Sequence, residues 1–448
     1  MIAAAPAPAQ LVLPAPQADP RAIDFAADPV LRFVGGGNAA DDFVALVAGA
    51  VARHPAQAEA AAGSDVARAN RREARAALFP TLSLSVVGSR SLARDFVDSS
   101  AAVERLLPRG RTDANAGVDQ LLFDFGASGG RIAGASARLR AATADADRTA
   151  AATTLVAVTA WYQVLGLTAM TELADALVAR HRMIVGDTGA RVAAGLGAGG
   201  DMARAEAGLA DAIGAASASA RSLAAARARY REVFGAQAPV HPLRPVADVV
   251  AIASTDAAIA QSHAIPEVAT AEALAAAAAA EARAARGDAL PRLVAGVSAT
   301  RFNIFDAGPN HDVRATITLR QSLSTGGAEA ARSSAAAARA RAASASADRV
   351  RAEAERDAEA AFADVAILDT AVAAFTDAYR ANRRNRDIMA AQFRLSRGSL
   401  IDLLRTEAEY FAAAHALVEA SVERDLARFT LLARTGGLLR RFAIAPAN

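Results

Sequence analysis

The chain contains neither cysteine nor lysine in its 448 residues. Without cysteine there is no disulfide, no thiolate chemistry, no cysteine-ligated metal and no lipidated N-terminal cysteine. Aromatic residues make up only 5% of the chain and alanine-rich stretches take their place. Bulky apolar surface is therefore too scarce for the two or three ordinary globular cores that this length could hold, and long helices packed through small side chains suit the composition better. A dominant sign of charge is also missing: the formal net charge is +2, and arginines are interleaved with acids. No concentrated basic stripe is left for a phosphate backbone, which argues against a nucleic-acid partner. The six histidines, His54, His181, His241, His263, His311 and His415, are scattered without metal-ligand spacing and read as solvated or capping groups. The one glycine cluster, Gly195 to Gly200, lacks the preceding strand and the lysine of a phosphate loop. No catalytic set, metal or cofactor is expected.

What is present is a duplication. Pro55, Arg72, Arg75 and Pro80 recur as Pro266, Arg283, Arg286 and Pro291, an offset of 211. Gln120, Gly126, Asp147, Arg148, Asp201 and Glu206 recur as Gln321, Gly327, Asp348, Arg349, Asp402 and Glu407, an offset of 201. The extra residues of the first copy must lie between Pro80 and Gln120, in a loop where length is cheap to change. The expected organisation is a flexible leader over 1–40, a first repeat over 41–235, a linker over 236–262, a second repeat over 263–436 and a tail over 437–448. The leader lacks the form of a standard export signal, because no basic residue precedes Arg21 and prolines break the stretch from Ala3 to Pro20.

Each repeat predicts one very long helix. No proline occurs between Ala127 and Ala194, nor between Gly327 and Phe442, which permits helices of about 65 residues, roughly 100 Å at 1.5 Å per residue. Leu155, Val158, Tyr162 and Leu165, and later Leu368, Val372, Phe375 and Tyr379, alternate steps of three and four as in a left-handed coiled-coil seam. Thr149 to Thr171 carries no charge and imitates a membrane span, but its copy after Arg349 is rich in Arg, Glu and Asp, so both are expected in a water-bathed bundle. Glycine-bearing turns near 195–201 and 396–402 fold each long helix back as a hairpin.

Four short segments switch to a period of two. Leu82, Leu84 and Val86 alternate with Thr81, Ser83 and Ser85, and Val313, Ala315, Ile317 and Leu319 with Arg314, Thr316 and Thr318. With Asp113 to Phe125 and Leu293 to Phe302 as partners they give hairpins over about 79–125 and 290–324, tipped by loops at Ser91 to Arg111 and Asn303 to Asn310. The apolar face has little in the chain to cover it, whereas a transmembrane barrel lays such a face against lipid. Four strands leave two open edges, which hydrocarbon does not tolerate, so closure needs more copies, and three would give twelve strands. Pro80 and Pro291 mark the passage from helix to strand, and Gly126 and Gly327 the return.

From about Asp41 to Gly436 the chain resembles the TolC-like outer-membrane efflux proteins. The likeness is carried by Leu78-Phe79-Pro80-Thr81-Leu82, Leu290-Pro291-Arg292-Leu293, Gln120-Leu121-Leu122-Phe123-Asp124-Phe125-Gly126 and Ser399-Leu400-Ile401-Asp402-Leu403-Leu404. It implies a mainly α fold with a small β part: long antiparallel helical hairpins forming a periplasmic tunnel, and four strands per chain in a trimeric twelve-stranded outer-membrane barrel. It also implies a homotrimer in outer-membrane lipid that docks onto a periplasmic adaptor (membrane fusion protein) and an inner-membrane RND or ABC transporter, as the exit duct of a tripartite efflux or type I secretion system. Two departures stand out. Gly195 lies six residues before Asp201, as the family pattern has it, but Ser396 takes that place before Asp402, with Gly398 nearby to relieve the turn. Arg405 stands where some members carry a second aspartate.

The candidate functional residues follow. Asp201 and Asp402 either cap helices or, with Arg397 and Arg405, gate the tunnel tip. Arg314 and Arg320 either tune ion preference inside the barrel or pair with acids on a neighbouring strand. A soluble coiled-coil scaffold is the competing reading, and the amphipathic hairpins are what it leaves unexplained.

Overall fold

The computed structural model describes residues 11, 13–17, 19–20, 22–36, 41–93, 110–247, 252–305, 308, 310–321, 326–395 and 397–447. Ser396, the tip of the loop expected at Ser91 to Arg111, and parts of the leader, the linker and the second hairpin lie outside them. In order, the described elements are α1 (Pro29–Gly35), α2 (Asp41–Arg53), α3 (Pro55–Ala76), β1 (Thr81–Arg90), β2 (Gly110–Phe123), α4 (Ala127–Ala193), α5 (Gly199–Phe234), α6 (Thr255–Ser262), α7 (Pro266–Gly287), β3 (Arg292–Arg301), β4 (His311–Arg320), α8 (Ala328–Arg394), α9 (Leu400–Arg434) and α10 (Leu438–Arg441). Both long helices, α4 and α8, have 67 residues. Pro55 and Pro266 each open a 22-residue helix at a position where the missing N–H costs nothing. The connection between β1 and β2 covers 91–109 and that between β3 and β4 covers 302–310, which puts all the extra length of the first copy in one loop.

The chain forms two compact units. One comprises Ala61–Ala144 and Ala269–Val350 and contains the sheet, with strand order β1-β2-β3-β4, every neighbour antiparallel. Here the helices approach by losing side chains. A Cβ on Gly130 of α4 would fall 2.7 Å from the Ala284 nitrogen and 2.9 Å from the Ala280 oxygen of α7, and one on Gly287 would fall 2.7 Å from the Ala127 nitrogen. Arg131 to Asp288 and Arg138 to Glu281, both at 2.5 Å, tie the same two helices at their wetter margin.

The other unit comprises Met1–Ala60, Asp145–Val268 and Arg351–Asn448. The scarce aromatics gather in it: the Phe43 ring lies 5.2 Å from Trp161, 6.1 Å from Phe429 and 5.6 Å from Phe442. Trp161 donates to the Leu243 carbonyl at 3.0 Å and Tyr162 to that of Pro245, which fastens the described linker residues to α4. Val158, Tyr162 and Leu165 are buried in this core, so the apolar stretch of α4 is covered by its own chain.

Two expectations are corrected here. The described residues of the leader are a packed strap: Leu11 and Val30 are buried with Tyr379, Tyr410 and Leu417. Arg244 binds the Phe33 and Val34 carbonyls at the end of α1 at 2.6 and 2.7 Å, and pairs with Asp425 at 2.7 Å. The seam of α8 also runs differently, since Phe375 is exposed while Ala358, Val365, Val372, Tyr379, Arg386 and Phe393 are buried at every seventh position.

Candidate functional site: a two-faced sheet and two hairpin turns

Serine and threonine alternate with leucine, valine and isoleucine along β1 and β4, and the pleat sends them to opposite faces. The register aligns them across the whole sheet. One row runs Leu82, Val118, Val297, Ala315 and the next Leu84, Ala116, Ala299, Val313. This face is bare: Leu82 is 78% exposed, Leu84 77% and Ile317 74%. The opposite face carries Asp119, Gly296 and Thr316 in one row and Asn115, Thr300 and Asp312 in another. A Cβ on Gly296 would meet Asp119 Oδ1 at 2.8 Å and Thr316 Oγ1 at 3.0 Å, so that face is crowded with polar groups, and Thr300 donates to Asn115 Oδ1 at 2.8 Å. At the loop end Asp113 is buried. It accepts from the Asn303 amide at 3.1 Å and pairs with Arg111 at 2.9 Å.

Arg314 lies on the polar face and pairs with Asp312 at 2.8 Å, a partner on its own strand rather than the neighbouring one that the sequence suggests. Arg320 stands opposite Arg292, whose guanidinium reaches Asp288 at 3.4 Å. Pro80 and Pro291 sit immediately before β1 and β3, where a helix cannot continue through them. Gly126 and Gly327 precede α4 and α8 with φ of 87° and 84°, a conformation that a Cβ would strain. Asp124 caps α4, accepting from the Ser128 amide at 2.6 Å and the Gly126 amide at 3.2 Å. Burial works against its charge, yet the Ser128 and Gly126 bonds and Arg131 hold its carboxyl below the usual range.

The two hairpin turns close alike. The Leu196 amide donates to the Arg191 carbonyl and the Arg397 amide to that of Gln392, both at 2.9 Å, the six-to-one bond of a Schellman turn. Gly195 supplies the left-handed residue of the first, with φ of 71°. Gly398 is not among the positive-φ residues and its own Cβ would lie 3.2 Å from the Phe393 nitrogen, so it permits close approach and does not relieve the turn.

Asp201 does not cap α5. That position belongs to Ala198, which has no capping side chain, and Asp201 sits in the first turn 3.4 Å from Arg204. Ser399 caps α9: its Oγ accepts from the Asp402 amide at 3.1 Å and donates to Asp402 Oδ2 at 2.7 Å, so the carboxylate of Asp402 is held by the capping hydroxyl. Arg405 reaches Glu409 at 3.0 Å, and Arg397 is exposed. Among the described residues of one chain, neither arginine is paired with Asp402.

A buried polar network is the feature that the sequence reading missed. Asp28 caps α1 and accepts from Tyr379 Oη at 2.9 Å and from Arg383. Tyr379 Oη lies 2.9 Å from Tyr410 Oη, and Arg386 stacks 4.3 Å over the Tyr410 ring. Arg386 then binds Asp387 at 2.7 Å, Glu407 at 3.6 Å and the Pro14 carbonyl at 2.8 Å, while Arg180 takes Glu407 at 2.6 Å. Burial raises the Asp387 carboxyl despite Arg386, and pushes the Tyr410 hydroxyl up to about 12. His181 is buried rather than solvated, with Nδ1 lacking a hydrogen-bond partner. Desolvation lowers its pKa, with Glu407 opposing. The heptad spacing held the signal, because Arg386 follows Tyr379 by seven and Glu407 follows Leu403 by four.

The sequence profile of the outer membrane efflux protein family matches residues 46–236, nearly all of the first repeat, of which the second is a copy. Over residues 46–236 the chain carries a domain of the outer membrane efflux protein family. No curated protein matches it. Among solved structures, this chain is similar to the outer-membrane channel OprN, with a TM-score of 0.78 at 19% identity over 91% of this chain and 92% of that one. It is also similar to the outer membrane protein VceC of Vibrio cholerae, with a TM-score of 0.77 at 18% identity over 88% and 95%. The open-state MtrE outer membrane channel of Neisseria gonorrhoeae gives 0.73 at 20% identity over 88% of each chain. At such identities the likeness speaks for the fold: a helical body with four antiparallel strands.

Proposed function

We propose that three copies of this efflux protein close their hairpins into one twelve-stranded outer-membrane barrel and their long helices into a periplasmic duct. The two-faced sheet carries the reading. Its leucine, isoleucine and valine face is bare, its other face is polar, and β1 and β4 each offer a free edge. In lipid all three features are satisfied together when β1 of one copy pairs with β4 of the next. The duct conducts passively what an inner-membrane RND or ABC pump and a periplasmic adaptor deliver, in efflux or type I secretion. The channel names of OprN and MtrE support this role. Residues 41–235 and 263–436 act as two repeats of one unit, joined by the linker over 236–262.

Membrane fractionation followed by native sizing of the detergent-extracted protein tests the copy number. A trimer in the outer-membrane fraction is expected, and a soluble monomer or dimer would end the barrel reading. Within that barrel Arg314 and Arg320 bias the lumen toward anions. Reversing both charges should move the reversal potential in a salt gradient toward cation preference, and an unmoved potential removes them from selectivity. At the other end of the duct, Asp402 and Asp201, with Arg397 and Arg405, set the charge of the tip.

A further inference from the structure

The two faces of the sheet differ in charge as well as in polarity, because acids occur on one of them only. Asp113, Asp119 and Asp312 all fall on the polar face, together with Arg111, Arg292, Arg314 and Arg320. Along the four described strands the apolar face carries no acid. Its only charged or titratable residues are Arg90, Arg301 and His311, and all three stand at the loop ends of their strands, away from Pro80 and Pro291.

Arg301 and His311 are direct partners in the register, and they head a groove in the apolar face. The row next to them reads Leu84, Ala116, Ala299, Val313, and the row after that reads Leu82, Val118, Val297, Ala315. The small residues Ala114, Ala116 and Ala299 form a floor on the two middle strands, with Leu84 and Val313 as walls on the outer strands, about three strand spacings or roughly 14 Å apart. Val118 and Val297 stand across its far end. The groove encloses about 340 Å³.

We infer that this groove is a specific site for a phosphorylated lipid of the outer leaflet, with an acyl chain over the alanine floor and a phosphate on Arg301 and His311. The inference rests on the barrel reading, which turns this face to lipid and its loop end to the outer leaflet. Charge complementarity selects the occupant. Among the described strand residues this face carries no carboxylate at that depth to hold the cation of a zwitterionic headgroup, whereas a phosphate meets the Arg301 guanidinium and the His311 ring beside an apolar channel for the tail. Asp312 lines the groove through its backbone neighbourhood, but its carboxylate is turned to the other face, where Arg314 holds it.

The test is native mass spectrometry of the detergent-extracted trimer with bis-phosphorylated lipid A and with its dephosphorylated form as probes. Wild-type protein should retain the phosphorylated form by at least about tenfold, the worth of one hydrogen bond to a charged group. Arg301→Gln combined with His311→Gln, both exposed positions, should remove the preference, and Arg320→Gln on the other face should keep it. Equal retention of both lipids by the wild type, or a preference that survives in the double variant, overturns the site and leaves the barrel standing. Failure to extract any membrane trimer overturns both.

Discussion

Glu206 and Glu407 occupy equivalent places in the two copies, yet Glu206 is exposed and Glu407 is 2% exposed. The difference lies in what faces them. Leu400, Leu403, Glu407, Tyr410, Ala414, Leu417 and Ser421 follow the alternating three and four spacing of a coiled-coil seam and are all buried, so Glu407 occupies a core position of α9. Arg386 does the same on α8, and Arg180 completes the neutralisation. Replacing Glu407 with leucine leaves Arg180 without its carboxylate and Arg386 with Asp387 alone. The expected loss is about 3–5 kcal/mol, read by chemical denaturation of the extracted protein, and a neutral result would show that the network does not hold the seam. His181 fills another core position of α4, against Gly208, where a Cβ would come within 3.0 Å of Nδ1. Its folded pKa lies below its unfolded one through desolvation, helped by Arg180 and opposed by Glu407 and Asp211. The unfolded chain therefore binds the extra proton, so stability is complete above about pH 6.5 and falls as the pH drops below it. Thermal melting between pH 7 and 5 should show a smaller acid loss for His181→Met than for the wild type. Equal slopes would remove His181 from the acid response.

At the scale of elements, the strands and long helices were legible because their patterns are long and local. The period-two alternation of 81–86 and 313–319 placed β1 and β4, and the absence of proline over 127–194 foretold α4. The doubled Pro and Gly markers placed the transitions, since each acts on its own backbone. What could not be read was long-range. Phe33 and Asp28 of the strap are held by Arg244, Tyr379 and Arg383, which lie more than 200 residues away in the sequence. Its proline-broken, weakly apolar stretch carries no periodicity to report that contact. Of the expected α8 seam Val372 and Tyr379 are buried but Phe375 is exposed, and the stripe includes Ala358 and Arg386, which an apolar pattern does not single out. Close packing of α4 on α7 was likewise visible only as composition. It predicts opposite signs for adjacent glycines. Gly129→Ala meets nothing within 4 Å and should stabilise by about 0.5–1 kcal/mol through helix propensity. Gly130→Ala drives a methyl into the α7 backbone and should cost about 1–3 kcal/mol despite that gain. Heat-induced dissociation measured side by side checks the pair, and two changes of the same sign would refute the close-approach account.

For the whole molecule, the threefold repetition of the proposed trimer changes what a single carboxylate can do. In one chain Asp402 is satisfied by Ser399, and Arg405 turns away to Glu409, so among the described residues no guanidinium pairs with Asp402. In the proposed trimer three such carboxylates would gather at the turn of the second hairpin, where like charges brought together either repel and widen the mouth or bind a cation between them. Asp201 is less suited to this part, because Arg204 already shares its charge. The proposal is that the Asp402 ring controls cation entry and Asp201 does not. In planar bilayers, Asp402→Ala should weaken block by a multivalent cation by about tenfold, equal to 1.4 kcal/mol, while Asp201→Ala leaves it nearly unchanged. The Ser399 cap supplies the control. Ser399→Ala removes the cap bond to the Asp402 amide but not the carboxylate, so it should destabilise α9 by about 1 kcal/mol and keep the block. If Ser399→Ala abolishes the block as fully as Asp402→Ala does, the aspartate acts through helix capping and the charge-ring proposal is lost.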